Sequence, residues 1–306
     1  MTDAALAVLR TVNNTNRVET IVIADQPSPA VRKIVGSYAS RWDGPLRLLD
    51  LALPEKILLP RLGDPGKNHP AQLLRGATAT LASHVVFHDA DLFPLDPDLH
   101  EAAWAACVDP GVDVAGIDKA WDAWFADRGR DLIATWEMCC RVDWLRSFAP
   151  WRHFAHEVAT DGGEPHVFDT TFEPQWCTPQ ERLAITDPLP EFVHFNYVIS
   201  TYRNFQRSST PFRDRHFRLL LLRVMADVFG DSEQLPDIPT LHELQSSIND
   251  TSSRVHHVDE DAPRFFAMAG KLRKIVEGEW AAANKGKVEQ HLDVFEQWAR
   301  RVRTDA

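Results

Sequence analysis

Two aspartates stand two residues apart directly after a short apolar segment. The segment is His84-Val85-Val86-Phe87-His88, and the acids are Asp89 and Asp91. Its pattern is typical of a buried strand, and open α/β sheets bind their ligands where such strands end. Two carboxylates held together repel each other unless a cation or a donor-rich ligand lies between them. Because oxygen ligands favour Mg²⁺ or Mn²⁺, which usually bind with phosphates, the motif predicts a divalent-metal site for a phosphate-containing substrate.

Strand and helix patterns alternate around this motif in the first half of the chain. The predicted strands cover residues 20–24, 46–51, 84–88 and 112–117. The predicted helices cover residues 4–12, a segment opened by Pro27 and Pro29, residues 70–82, and a segment capped by Asp96-Pro97. Such alternation predicts an α/β fold whose mostly parallel sheet is covered by helices on both faces.

The second half of the chain is less regular before it becomes helical. Residues 133–140 and 191–199 have strand patterns, and helical patterns follow from about residue 211, with the last two near 262–283 and 286–303. We therefore expect an α/β domain over residues 1–208 and a helical C-terminal region over 209–306. The amphipathic faces of its helices could cover the sheet, shape an acceptor site or form a homodimer.

Composition excludes several classes of protein. The chain has 306 residues and a formal net charge of -11, which argues against nonspecific binding of nucleic acid. No apolar run approaches the roughly 20 residues that span a bilayer, and the start of the chain is acidic where a signal peptide would be basic. The four cysteines lack Cys-x-x-Cys spacing, so reduced thiols and a cytoplasmic location are expected.

Two segments resemble the GT-A fold of nucleotide-sugar glycosyltransferases, especially the family-2-like group. The first is Ala5-Leu6-Ala7-Val8-Leu9-Arg10-Thr11-Val12 with the strand that ends at Asp25, and the second runs from Arg75-Gly76-Ala77 to Asp89-Ala90-Asp91. The resemblance covers about residues 4–200 and implies a Rossmann-like, GT-A-like sheet and a nucleotide-sugar donor. It departs from the family at the start, because the apolar first strand that normally precedes this helix is missing.

The resemblance also implies roles for individual residues. Asp25 would contact the nucleobase, Asp89 the ribose and Asp91 the metal, with His194 as a third metal ligand. His88 is the other histidine candidate, and His194 could instead be a hydrogen-bonded core residue. An inverting transferase needs a carboxylate base. The resemblance points to Asp169, which could equally cap a helix, with Glu137 and Glu173 as alternatives.

Cations and indoles complete the expected site. Lys67, Arg75, Arg203 and Arg207 could neutralise the diphosphate, although a solvated basic surface is the alternative for the two later arginines. The chain has 10 tryptophans. A sugar-handling protein uses exposed indole faces as stacking surfaces, and Trp136 could line the acceptor pocket.

The chemistry therefore favours a glycosyltransferase that uses Mn²⁺ or Mg²⁺ to stabilise the departing nucleotide diphosphate. Its acceptor is expected to be a small molecule or a protein. A haloacid-dehalogenase phosphatase would carry the acidic motif on its first strand, and a nucleotidyltransferase would need a Gly-rich loop near the start. The remaining alternative is a catalytically degenerate GT-A-like binding protein, and binding of nucleotide with metal separates the two.

Overall fold

A computed structural model describes most of the first 195 residues and parts of the remainder. The described residues are 2–24, 27–62, 67–160, 163–195, 201–202, 206, 219, 221, 223–224, 227, 238, 240, 242–243, 266–267, 269–270, 273 and 285–304. The chain forms two compact units. Unit 1 comprises Met1–Thr11, Ala90–Leu95 and Phe192–Ala306, and unit 2 comprises Val12–Asp89 and Asp96–Glu191. The predicted boundary between residues 208 and 209 lies outside the described residues and stays a prediction.

Unit 2 begins with a parallel strand pair joined by a helix. Strand β1 (Thr20–Ala24) pairs in parallel with β2 (Leu46–Asp50), and α2 (Pro29–Ala39) connects them. The helix begins there because Ser28 Oγ accepts the backbone N–H of Val31 at 3.2 Å and Pro29 occupies the first turn. Both strands and this helix confirm the sequence prediction. Helix α3 (Leu53–Leu62) follows.

A second sheet in unit 2 has four strands in the order β3-β6-β5-β9. They are β3 (His84–His88), β6 (Glu137–Arg141), β5 (Val114–Gly116) and β9 (Leu183–Ile185). Strand β6 runs antiparallel to both β3 and β5, whereas β5 and β9 are parallel. The described sheets are therefore mixed, and the expectation of a mostly parallel sheet is wrong for this part of the chain.

The segment between β5 and β6 determines the antiparallel direction of β6. Lys119 and Ile133 form an antiparallel bridge, and Ala134 N–H donates to the Asp118 carbonyl at 3.0 Å. The chain thus folds back on itself like a long hairpin, and α6 (Ala123–Ala126) is too short to act as a crossover helix. This return makes β6 antiparallel, and it also moves the strand predicted at residues 133–140 towards its C-terminal end.

Helices cover both faces of the four-stranded sheet, as expected. On one face, Leu73 and Ala77 of α4 (Asn68–Ala79) join the core cluster that contains Val114 and Met138. On the other face, α5 (Leu99–Cys107) packs Ala103 and Cys107 against Ala115 and Cys139. Alternate residues of β5 and β6 therefore point to opposite helices. The helix predicted over residues 70–82 is shorter at its C-terminal end, because α4 ends at Ala79 and Leu81 beyond it is fully exposed.

The three cysteines of this core are free thiols. Cys107, Cys139 and Cys140 are buried, and Cys177 is exposed. A hydrogen bond with Cys107, together with burial, raises the pKa of Cys139, and burial raises that of Cys140. The thiols of Cys139 and Cys140 therefore stay protonated, and their reduced, buried state confirms the sequence prediction.

The remainder of unit 2 is an aromatic layer beside the core. It contains α7 (Val142–Ser147), the antiparallel pair β7 (His156–Ala159) and β8 (Pro165–Phe168), and α8 (Phe172–Cys177), with 3₁₀ turns at Pro150–His153 and Gln180–Arg182. Phe125 lies edge-on to Phe168 and Phe172. These contacts fix the β8–α8 connection that carries Asp169.

Unit 1 contains α1 (Thr2–Leu9), β4 (Leu92–Pro94), β10 (Phe192–His194) and α9 (Lys285–Thr304). Strands β4 and β10 are antiparallel, with His194 opposite Leu92. In α9, Val288, Leu292 and Phe295 are buried at helical spacing, which confirms the predicted C-terminal helix. Among the described residues, no helix has the length and apolar character needed to cross a membrane.

Candidate functional site

The acidic motif follows β3 without a gap. The backbone N–H of Asp89 donates to the Trp136 carbonyl at 2.9 Å, so the sheet still holds this residue after the strand has ended. Asp89 belongs to unit 2, whereas Asp91 belongs to unit 1 and precedes β4.

In unit 1 the structure brings Asp91 and His194 together. His194 Nε2 lies 3.3 Å from Asp91 Oδ1, and the Phe195 N–H donates to the Asp91 carbonyl at 3.0 Å. The antiparallel pairing of β4 with β10 produces this contact, because it places the end of β10 beside the residue that opens β4. Two ligands of one ion with bonds of about 2.1 Å stand roughly 3 Å apart, so this pair fits a shared divalent ion.

In unit 2, Asp89 lies beside a histidine that the sequence analysis did not select. His69 Nε2 is 3.3 Å from Asp89 Oδ1, and about a third of each side chain is exposed. His69 stands in the first turn of α4, the helix that leads into β3. The signal that could have found it is this position at the start of the helix before the motif strand, beside Lys67.

A second histidine-carboxylate cluster is buried in unit 2. Residues His88 and Glu137 face each other across the β3–β6 pair, and His88 Nδ1 lies 2.5 Å from Glu137 Oε2. His100, in the first turn of α5, places Nε2 at 3.3 Å from both Glu137 Oε1 and His88 Nδ1. Burial lowers the pKa of His100 to about 4, against the attraction of Glu137. Glu137, a candidate base, thus has a fully buried carboxylate that faces two imidazoles.

Asp169 has a different setting, on the connection between β8 and α8. It is exposed, its Oδ1 accepts the Thr170 N–H at 2.6 Å, and its carbonyl accepts the Phe172 N–H at 3.0 Å. The helix cap is Thr171, which has a left-handed backbone with φ of 64°. A β-branched residue rarely adopts this conformation, and such strain clusters at functional sites. The alternative base, Glu173, is held by Arg152 at 2.6 Å and by His156 at 3.0 Å.

The predicted cations are only partly described. Lys67 precedes α4 and lines an open cavity of about 450 Å³ together with Trp151, Phe154, Ala155 and His156. Arg75 is half-buried on α4, and its Nε makes no hydrogen bond within the described residues. Asp25, Arg203 and Arg207 lie outside the described residues, and their predicted roles stay predictions.

Two tryptophans present exposed indoles in unit 2. Trp151 beside the cavity is 61% exposed, and Trp121 is 58% exposed. Trp121 stands edge-on to Trp136, with ring centroids 5.8 Å apart, so the indole predicted to line an acceptor pocket is half-buried beneath an exposed one. Exposed indoles of this kind are suited to stack on sugar rings.

No protein-family model matches the chain, and no curated protein or solved structure matches it either. A functional assignment therefore depends on the residues and their geometry.

Proposed function

We propose that this protein is a divalent-metal-dependent glycosyltransferase that takes its sugar from a nucleotide-diphosphate donor. The observation that carries the proposal is the pair formed by Asp91 and His194. Both were selected from the sequence as ligands of one ion, and their side chains are 3.3 Å apart within unit 1 although they are far apart in the chain.

The donor atoms of the pair suit the proposed metal. One carboxylate oxygen and one imidazole nitrogen, with water and phosphate oxygens in the other positions, fit Mn²⁺ well and also accommodate Mg²⁺. When bound, the ion would neutralise charge on the leaving diphosphate. Asp91 and His194 would hold it, and the role of Asp89 towards the ribose stays a prediction.

Unit 2 offers features that a sugar nucleotide needs. The cavity lined by Lys67 and Trp151 combines a cation for phosphate with an exposed indole for a sugar ring, and its volume of about 450 Å³ is in the range of small-molecule sites. Asp169 is the base that we propose for the acceptor hydroxyl. Its carboxylate is exposed, and the hydrogen-bonded turn before Thr171 fixes its position.

We propose that the described sheets belong to a GT-A-like fold. A GT-A-like sheet is supported by the parallel β1–β2 pair joined through α2, and by helices on both faces of the β3-containing sheet. It also explains why the acidic motif follows a strand directly. The proposed relation to the GT-A fold therefore rests on the strands and helices that surround the acidic motif.

The test is a thermal-shift panel of nucleoside diphosphates and nucleotide sugars, with and without Mn²⁺, on the wild-type protein, Asp91→Asn and His194→Gln. We expect one base to stabilise the wild type only with metal, and both variants to lose this shift. His166→Gln is the matched control, because His166 pairs with Asp122 at 2.7 Å outside the proposed site. Stabilisation by no nucleotide in folded protein would overturn the proposal.

Transfer must then be measured separately from binding. The nucleotide sugar found by the panel is incubated with metal, and release of the nucleoside diphosphate is followed with candidate sugar and protein acceptors. Metal-dependent binding without any donor turnover, including hydrolysis, would contradict the proposed transferase activity and leave a metal-dependent nucleotide-binding protein. Asp169→Asn should bind the donor like the wild type and lose transfer, if the enzyme inverts.

A further inference from the structure

We infer that His88, His100 and Glu137 form a second metal site, for a first-row transition-metal ion such as Zn²⁺ or Fe²⁺. This inference does not depend on the proposed function, because the three residues belong wholly to unit 2 and share no residue with the Asp91–His194 pair. The site is built by three elements, with one ligand each from β3, β6 and the first turn of α5.

The ligand atoms converge on one point. One imidazole or carboxylate atom from each residue lies within 4.8 Å of the others. His100 Nε2 is 3.3 Å from Glu137 Oε1 and 3.3 Å from His88 Nδ1, close to the separation of about 3 Å expected between ligands of one ion. His88 Nδ1 and Glu137 Oε2 are closer, at 2.5 Å, so ion entry requires these two groups to move apart by a few tenths of an ångström.

Asn14 determines which ring nitrogen of His100 carries the proton. The Asn14 amide N–H donates to the Val12 carbonyl, which leaves Asn14 Oδ1 to face His100 Nδ1 at 3.0 Å. Because this oxygen can only accept, Nδ1 carries the proton, and the lone pair of a neutral His100 is on Nε2, towards Glu137 and His88. A hydrogen bond that fixes the other ring nitrogen is the usual outer support of a metal-bound histidine.

Glu137 provides the second, independent observation. Its side chain has no exposed surface, and among the described residues its Oε1 accepts no hydrogen bond although it points at His100 Nε2. A carboxylate oxygen and an imidazole lone pair that face each other at 3.3 Å repel unless a cation lies between them. Buried carboxylates without such compensation are costly.

Burial holds the pKa of His100 at about 4, and Arg17 and His88 lower it further while Glu137 and Glu101 act in the opposite direction. A neutral imidazole is the form of histidine that binds metal. Two nitrogen ligands with one carboxylate favour zinc or iron(II) over magnesium or calcium.

The experiment uses the full chain, stripped with dipicolinate and reloaded with Zn²⁺ or, as a spectroscopic probe, Co²⁺. The Asp91→Asn/His194→Gln double variant serves as the background, so that the other proposed site does not contribute. We expect one equivalent of tightly bound metal by elemental analysis, a rise in melting temperature, and two imidazole ligands by X-ray absorption. Failure of nucleotide binding in the earlier panel would leave these results unchanged.

Variants assign the metal to these residues. His100→Gln and Glu137→Gln should each abolish tight binding, and Asn14→Ala, which removes only the outer support, should weaken it by about 10- to 100-fold. His156→Gln is the matched control, because His156 pairs with Glu173 where Arg152 already supplies a cation. If the ligand variants fail to fold, X-ray absorption of the background protein still shows whether two imidazoles bind the metal.

Either of two results would overturn the inference. The first is a folded, stripped background protein that takes up no tightly bound Zn²⁺ or Co²⁺. The second is tight binding whose spectrum is the same in His100→Gln, Glu137→Gln and the control. Both would make the cluster a metal-free hydrogen-bond network that fastens α5 to the sheet.

Discussion

His194 Nε2 lies 3.3 Å from Asp91 Oδ1, and a three-residue antiparallel strand pair is enough to bring the two together. Edge-to-face packing of Phe93 on Phe195, with centroids 5.4 Å apart, supports that pair from within unit 1. The contact therefore depends on local strand register. A slip of one residue would turn His194 to the opposite face of the pair.

If the Asp91 and His194 side chains share one ion, the losses of metal-dependent stabilisation caused by their substitutions should not add. We expect Asp91→Asn and His194→Gln each to remove the stabilisation by Mn²⁺ with nucleotide, and the double variant to differ from either single one by no more than about 0.5 kcal/mol. Thermal melts at matched metal concentrations measure this. Two independent, additive losses would mean that the residues act at separate places.

A buried glutamine should be important for stability in unit 2. Gln175 Oε1 accepts the Ile133 N–H at 2.6 Å, and its Nε2 donates to the Ile133 carbonyl at 3.0 Å. Because Gln175→Ala leaves both buried backbone groups without a partner, we expect a loss of about 2–4 kcal/mol in the free energy of unfolding. Urea denaturation measures it.

Gln180 provides the control for that change. It makes the same two bonds with the backbone of Asp131, at 3.1 and 3.2 Å, but it is only half-buried. Water can replace its amide, so Gln180→Ala should cost less than about 1 kcal/mol. Equal losses in the free energy of unfolding for the two alanine variants would show that burial does not determine the cost of removing the amide.

Local signals predicted the local structure well. The apolar runs at Thr20–Ala24 and Leu46–Asp50 and the helix opened by Pro29 depend on neighbouring residues, and all were found where expected. The direction of β6 depends instead on how the segment from Asp118 to Ala134 pairs with itself. Strand propensity does not encode that pairing, and so the mixed sheet was not predicted.

The candidate site residues show the same difference between local signals and long-range contacts. The spacing of Asp89 and Asp91 is visible in the sequence, and His194 was selected by its setting, whereas His69 and His100 were missed. Both stand in the first turns of helices, and the packing of α4 and α5 brings them to a carboxylate. Sequence reasoning also could not tell that Glu137 is buried rather than accessible.

Two glycines should respond in opposite ways to alanine. At Gly116 in β5, an added Cβ would collide with Ile133 Cγ2 and lie 3.0 Å from the Glu137 carbonyl oxygen, so Gly116→Ala should destabilise the fold by about 1–3 kcal/mol. At Gly36 in α2 nothing lies within 4 Å of the added Cβ, so Gly36→Ala should raise the free energy of unfolding by about 0.5–1 kcal/mol. Urea denaturation of both variants checks the signs, and destabilisation by Gly36→Ala would contradict the description of α2.

His153 should make the protein less stable in mild acid. Burial lowers the pKa of His153 from 6.5, with Arg152 lowering it and the Leu145 carbonyl and Glu173 raising it. As the pH falls below about 6.5, the unfolded chain binds a proton that the folded chain does not, and the free energy of unfolding decreases. His153→Gln keeps an N–H donor for the Leu145 carbonyl, 2.9 Å away, without titrating, so its stability should fall less steeply between about pH 6.5 and pH 5. Parallel slopes in urea denaturation of the two proteins would contradict this, because His84 and His100 titrate alike in both.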